Sequence, residues 1–154
     1  MGLEIERKFL LKNDNWRKLA QGVEYRQGYL SSVKERSVRI RTIKDQGYLT
    51  VKGVSRGATR VEYEYVIPVD EARAMLDTLC EKPLIEKKRY KVSHQGLTWE
   101  IDEFFGENQG LIMAEVELAS EDQEFEKPDW IGAEVTHDSR YFNANLVHNP
   151  YSQW

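Results

Sequence analysis

Cysteine is nearly missing from this chain: Cys80 stands alone, so no intramolecular disulfide can form. That suits a reducing cytoplasm, which is the expected location. Long apolar runs are missing as well. No stretch approaches the roughly 20 apolar residues that a membrane-crossing helix needs, so no membrane span is expected. The opening Met1-Gly2-Leu3-Glu4-Ile5-Glu6-Arg7-Lys8 carries charges where a secretory signal needs an apolar core, and no such signal is expected. Histidine is scarce. His94, His137 and His148 are scattered without the paired spacing of a metal site. Positive charge is not in excess either. A formal net charge of −4 argues against a nucleic-acid scaffold, while leaving room for a local basic pocket.

What is present is a strong period-two pattern. The 154 residues suit one domain. Segments 3–11, 37–43, 48–54, 60–67, 86–93, 97–104 and 111–118 alternate Val, Ile, Leu, Tyr, Trp and Phe with charges, and read as strands. Gln27 to Leu30 suggests another short one. Turns at Asp45-Gln46-Gly47, Ser55-Arg56-Gly57 and His94-Gln95-Gly96 connect neighbours closely enough to imply antiparallel meanders. Three segments read as helices: Asp14–Gln21, Asp70–Glu81 with Asp70 as N-cap, and Asp138–Val147. The expected class is mainly β, an antiparallel sheet with a few helices outside it.

The charges fall in register. Side chains at i and i+2 of a strand share a face, so Glu4, Glu6 and Lys8 point one way and Leu3, Ile5 and Phe9 the other. Arg39 pairs with Arg41, Glu62 with Glu64, Lys87 with Arg89, Glu100 with Asp102 and Glu115 with Glu117. Lys52 stands between Val51 and Gly53. Taken singly, each pair is a solvated outer face. Taken together with three amphipathic helices that need an apolar sheet surface to cover, they point the other way: apolar faces under the helices, charged faces lining a lumen. Buried charges without partners cost several kcal/mol each, so such a lumen must hold water or an ion-rich ligand. Carboxylate pairs suit hard divalent cations. Lys8, Arg39, Arg41, Lys52, Lys87 and Arg89 suit a polyanion, Arg by bidentate contact and Lys as a point charge.

In order and spacing these residues resemble the CYTH superfamily, the triphosphate tunnel metalloenzymes. The resemblance starts at Glu4-x-Glu6-x-Lys8 and runs through Gln27-Gly28-Tyr29-Leu30, Val38-Arg39-Ile40-Arg41, Leu49-Thr50-Val51-Lys52-Gly53 and Glu62-Tyr63-Glu64. It continues through Lys87-x-Arg89-Tyr90, Trp99-Glu100-Ile101-Asp102-x-Phe104, Ala114-Glu115-Val116-Glu117-Leu118 and Asp138-x-Arg140-Tyr141, so it covers nearly the whole chain. It implies an eight-stranded antiparallel β-barrel forming a hydrophilic tunnel, with flanking helices, and one stand-alone CYTH domain over residues 1–154. It implies Mg²⁺- or Mn²⁺-dependent hydrolysis of a triphosphate, inorganic tripolyphosphate first. Thiamine triphosphatase, class IV adenylate cyclase and a non-catalytic polyphosphate or nucleotide binder are the alternatives. The implied metal ligands come from Glu4, Glu6, Glu62, Glu64, Asp102, Glu115 and Glu117, with Glu4, Glu6, Glu115 and Glu117 foremost. One Mg²⁺ takes six ligands and keeps waters, so some of the seven must serve otherwise. Lys8, Arg41 and Tyr29 are the candidates for direct action at the reacting phosphate, Tyr29 competing with a purely packing role. The expected partner is a small-molecule triphosphate, with no nucleic acid and no membrane; a homodimer is left open.

Overall fold

The computed structural model describes residues 2–154. Alternation of β-branched and aromatic residues with charges produces nine strands. They are β1 (Leu3–Leu11), β2 (Val23–Ser31), β3 (Arg36–Ile43), β4 (Gln46–Gly53), β5 (Thr59–Ile67), β6 (Ile85–His94), β7 (Leu97–Phe104), β8 (Ile112–Glu117) and β9 (Ile131–Glu134). They are ordered β5-β4-β3-β2-β6-β7-β8-β1, and β5 pairs again with β1, which closes an eight-stranded antiparallel barrel. β9 continues the same edge of β1 where β5 leaves it. Leu3–Ile5 pair with β5, while Phe9 and Leu11 pair with Glu134 and Ile131. Seven of the strands match the expected segments within two residues at each end. β2 is longer than its expected Gln27–Leu30 core, and β9 is too short for its alternation to show.

Closure turns one face of every strand inward. The outward apolar face is covered in two places. Helix α1 (Val69–Thr78) lays Ala72 and Leu76, with Cys80 just beyond it, over Ile40 of β3, flanked by Leu30 and Leu49. On the far side, Phe9, Val92, Trp99, Ile101, Ala114 and Val116 pack beneath Trp16 and Trp130. Trp99 meets Phe9 edge-on at 5.5 Å and Trp130 at 6.0 Å between ring centroids.

The helical segments differ from expectation in detail. Asp14–Gln21 contracts to a 3₁₀ turn over Asn15–Leu19, too short for a stable α-helix before Gly22. Pro68, not Asp70, is the N-cap of α1, and its carbonyl accepts from Ala72 N. The last segment splits into a 3₁₀ turn, Ser139–Tyr141, and helix α2 (Asn143–His148). α2 also departs from the expected outside position. Its Leu146 and Val147 pack with Tyr29, Ile85, Phe104 and Met113. Those strand residues share the inward face with Gln27, Lys87, Asp102 and Glu115, being two residues away in each case. The inward face is therefore charged over one part of its length and apolar over another, and α2 covers the apolar part from within.

β9 is stapled to β1 by an ion pair. Arg7 Nε and Nη2 donate to the two oxygens of Glu134 at 2.8 and 2.6 Å, and Thr136 Oγ1 donates at 2.5 Å. The Arg7 hydrogen bonds, with help from Thr136, draw the Glu134 carboxyl down to about 2. A carboxyl lowered in the folded state stabilises above its ordinary range, and the contribution fades as pH falls toward the folded value. Glu134→Gln is expected to cost about 1 kcal/mol at pH 7, a few degrees in Tm. Calorimetric scans from pH 7 to pH 3 should show the gap to wild type narrowing below about pH 4.5; a constant gap contradicts this account.

Candidate active site

The barrel brings the charged faces around one cavity of about 290 Å³. Glu4, Glu6, Lys8, Tyr29, Arg39, Arg41, Lys52, Glu62, Glu64, Lys87, Arg89, Glu115 and Glu117 all line it, together with Glu100. Asp102 is the one expected site residue outside that lining. It sits behind it, 1% exposed, with both oxygens taken by Arg89 at 2.8 and 2.9 Å and Lys87 Nζ at 2.8 Å.

Arginines gather on one side of the ring and carboxylates on the other, with Lys8 and Lys52 standing among the carboxylates. In a closed ring of eight, β3 stands opposite β8 and β2 opposite β1. Arg39 and Arg41 on β3 and Arg89 on β6, one strand beyond β2, make a basic wall. Glu4 and Glu6 on β1 and Glu115 and Glu117 on β8 make the facing acidic one. Register crowds the acids: Glu6 pairs with Glu117, and Glu115 lies between Lys8 and Glu100. Burial and the charge of Glu6 push the Glu115 carboxyl up. Burial and the charges of Glu4, Glu6, Glu62 and Glu100 do the same to Glu117. Burial alone would raise Glu6 too, but the charges of Lys8, with Nζ at 2.7 Å, and of Lys52, together with a hydrogen bond to Glu115, outweigh it and draw the carboxyl down to about 2.

The basic wall is equally strained. Burial, then the charges of Arg39 and Arg89, push the Arg41 guanidinium down to about 10. Arg41 and Arg39 share a single carboxylate, Glu64, at 3.4 and 3.6 Å. Thr50 Oγ1 fixes that carboxylate at 2.7 Å. Among the described residues, Nε of both Arg39 and Arg41 is buried without a hydrogen-bond partner. Buried donors are normally satisfied, so two left open on arginines that line the cavity mark a basic wall short of acceptors. Lys52 bridges Glu4 at 2.9 Å and Glu62 at 3.4 Å across the β4, β5 and β1 boundary.

The model of the CYTH domain family matches residues 2–151. The chain belongs to the CYTH domain family. An inorganic triphosphatase of Acetivibrio thermocellus is 59% identical over 154 residues, which is 100% of this chain and 99% of that protein. An inorganic triphosphatase of Nitrosomonas europaea is 39% identical over 150 residues, 94% of this chain and 96% of that one. A crystal structure of an inorganic triphosphatase superposes with a TM-score of 0.68 at 35% identity, covering 93% of this chain and 96% of that one.

CYTH membership implies dependence on a divalent cation, and the donors here fit one. Carboxylate oxygens are hard ligands, and a cation relieves the mutual repulsion that raises Glu115 and Glu117. Among the described residues, no three acidic, His or Cys side chains already form a closed ligand cluster. A cation held here would have to take much of its shell from water and phosphate oxygens. No helix among the described residues is long and apolar enough to cross a membrane.

Several residues at this CYTH site escaped the sequence reading. Thr50 shares a strand face with Lys52, a signal that was there to be used. Asn143, on α2, accepts from Lys87 Nζ at 2.9 Å and Gln27 Nε2 at 3.2 Å. Nothing in its local sequence distinguishes it, because only the inward packing of α2 brings it to the cavity. Tyr25, two residues before Gln27 on the inward face of β2, escaped for the same reason as Thr50: an aromatic on a strand reads first as packing.

Proposed function

We propose that residues 1–154 form a single CYTH domain that hydrolyses the terminal phosphoanhydride bond of inorganic tripolyphosphate with Mg²⁺ or Mn²⁺, in the cytoplasm. The observation that carries this is the divided cavity. One wall holds guanidiniums with buried N–H groups that lack a partner among the described residues, and the facing wall holds Glu115 and Glu117, raised by burial and then by neighbouring carboxylates. A polyanion carrying a divalent cation satisfies both walls at once. The two relatives named inorganic triphosphatase, aligned over nearly the full chain, support the choice of substrate.

In this reading Arg39, Arg41, Arg89, Lys8, Lys52 and Lys87 take the non-bridging oxygens of the phosphate chain. Catalysis of phosphoryl transfer is mostly positioning and charge stabilisation. Lys8 and Arg41 offset the charge that grows on the terminal phosphoryl group. A water oxygen bonds to the terminal phosphorus as the bridging P–O bond breaks, leaving orthophosphate and pyrophosphate. Glu4, Glu6, Glu115 and Glu117 would hold the cation, with Glu62 beside them. When bound, it neutralises phosphate charge and makes coordinated water more acidic. Asp102, buried behind the lining with both oxygens engaged, anchors Arg89 and Lys87 and is set aside as a ligand, while Glu64 gives its Oε2 to Arg39, Arg41 and Thr50 and serves first to hold those arginines. Tyr29, with its ring in the apolar cluster under α2, is a wall residue and not a base.

Phosphate release from tripolyphosphate, thiamine triphosphate and ATP, each with Mg²⁺ or Mn²⁺, tests the reading. Tripolyphosphate should be turned over fastest, activity should vanish on chelation with EDTA, and excess Mg²⁺ or Mn²⁺ should restore it. A clear preference for thiamine triphosphate or ATP, cyclic AMP among the products, or binding without turnover would each replace it with the corresponding alternative.

A further inference from the structure

We propose that Tyr25 is a positioning residue for the anion-binding wall: its ring is a spacer that holds the like-charged Arg41 and Arg89 side by side. This rests on the reading of the cavity as an anion site. β2 runs between β3 and β6, so Tyr25 stands between an arginine from each. Its ring centroid lies 5.1 Å from Cζ of Arg41 and 4.9 Å from Cζ of Arg89. The side chain is 6% exposed, so both contacts are largely shielded from water.

Two guanidiniums in a desolvated wall repel each other. The negative face of an aromatic ring attracts each of them, and more strongly when water is excluded. The two arginines differ in how much they depend on it. Arg89 is held by a bidentate bond to Asp102 at 2.8 and 2.9 Å. Arg41 has a shared contact with Glu64 at 3.4 Å, a more distant ring at Tyr48, 5.9 Å away, and an Nε without a partner among the described residues. Tyr25 therefore sets the plane of Arg41 in particular, and with it the place of that guanidinium in the cavity lining. The ring does this; the phenolic hydroxyl is not required. An aliphatic side chain leaves Arg41 free to swing toward Glu64, away from the anion.

Two measurements test the proposal. In the free protein, the ring current of Tyr25 should shift the Arg41 and Arg89 side-chain protons upfield in NMR spectra. Those shifts should vanish in Tyr25→Leu and persist in Tyr25→Phe. In steady-state kinetics with tripolyphosphate and Mg²⁺ or Mn²⁺, Tyr25→Leu should raise KM about tenfold, the loss of one desolvated cation–π contact. kcat should fall less than KM rises, and Tyr25→Phe should restore wild-type KM. If Tyr25→Leu does not fold, Tyr25→Met, closer in volume, is judged by the same readouts. Unshifted arginine protons in the wild type, an unchanged KM in a folded aliphatic variant, or a Phe variant as impaired as Leu overturns the proposal. Should the wild-type protein turn over no triphosphate at all, the functional reading fails while the NMR spectra still decide the stacking.

Discussion

Arg41→Ala is expected to lower kcat/KM for tripolyphosphate by about a hundred- to a thousandfold, the range seen when one preorganised donor to a charged transition state is removed. The residue lines the cavity, carries a buried N–H without a partner among the described residues, shares the Glu64 carboxylate with Arg39, and lies across the Tyr25 ring from Arg89. Such a group contributes little to holding the free protein together. Its removal also relieves the cost of burying a charge, and then the repulsion from Arg39 and Arg89, which together draw its ionisation down to about 10. Tm in phosphate-free buffer should therefore stay within a few degrees of wild type while activity collapses. Arg41→Lys should recover only part of the loss, because a lysine offers a point charge and not the planar, two-pronged contact that a phosphate accepts. Kinetics and calorimetry on the three proteins check both halves. Full activity in a folded Arg41→Ala protein would remove Arg41 from the groups that act on the phosphate chain.

The second large effect is structural. Asp102→Asn should cost about 3–5 kcal/mol of stability, on the order of 10 °C in Tm for a chain of this size. Asp102 is 1% exposed and compensates two buried cations, Lys87 and Arg89. Burial alone would raise its carboxyl. The charges and hydrogen bonds of Arg89 and Lys87 outweigh burial and hold it well below the usual carboxylate range. Losing one partner of a buried cluster leaves uncompensated charge, which costs more than the cluster ever contributed. Because the lowered carboxyl stabilises above the ordinary carboxylate range and that contribution fades in acid, thermal melts should show the gap between wild type and Asp102→Asn closing as pH falls below about 4. Activity should fall as well, since Arg89 and Lys87 lose their orientation. The stability loss separates this residue from Arg41. A cavity ligand such as Glu115, which repels its neighbours in the free protein, should behave like Arg41 and not like Asp102.

The contrast between these two residues marks how far the strand pattern could be read. Glu100 and Asp102 look alike in sequence, two acids on one face of β7. In the barrel Glu100 faces the cavity and Asp102 lies behind it, because the register of β6 against β7 sets Arg89 directly across from Asp102. β6 and β7 are neighbours joined by the turn at Gln95-Gly96, but the pattern of one strand does not state the register that sets Arg89 across from Asp102 and leaves Glu100 across from Lys91. Asn143 is the extreme case. Its role depends on a helix of six residues entering the apolar end of the barrel, a packing event that local periodicity reads only as amphipathic.

The alternation of charged and apolar residues by itself determined seven of the strands, the two faces of each, and most of the charged side chains that meet in the cavity. This follows because the period of a strand is two and sterically rigid. Tertiary structure alone decided the rest. Closure of β5 onto β1 chose which face points inward, and ring order set acids against bases across the cavity. Register chose which carboxylates are spent on arginine and lysine and which remain for a cation. Those outcomes rest on contacts between residues far apart in the chain, where burial makes each unpaired charge costly and each pairing selective.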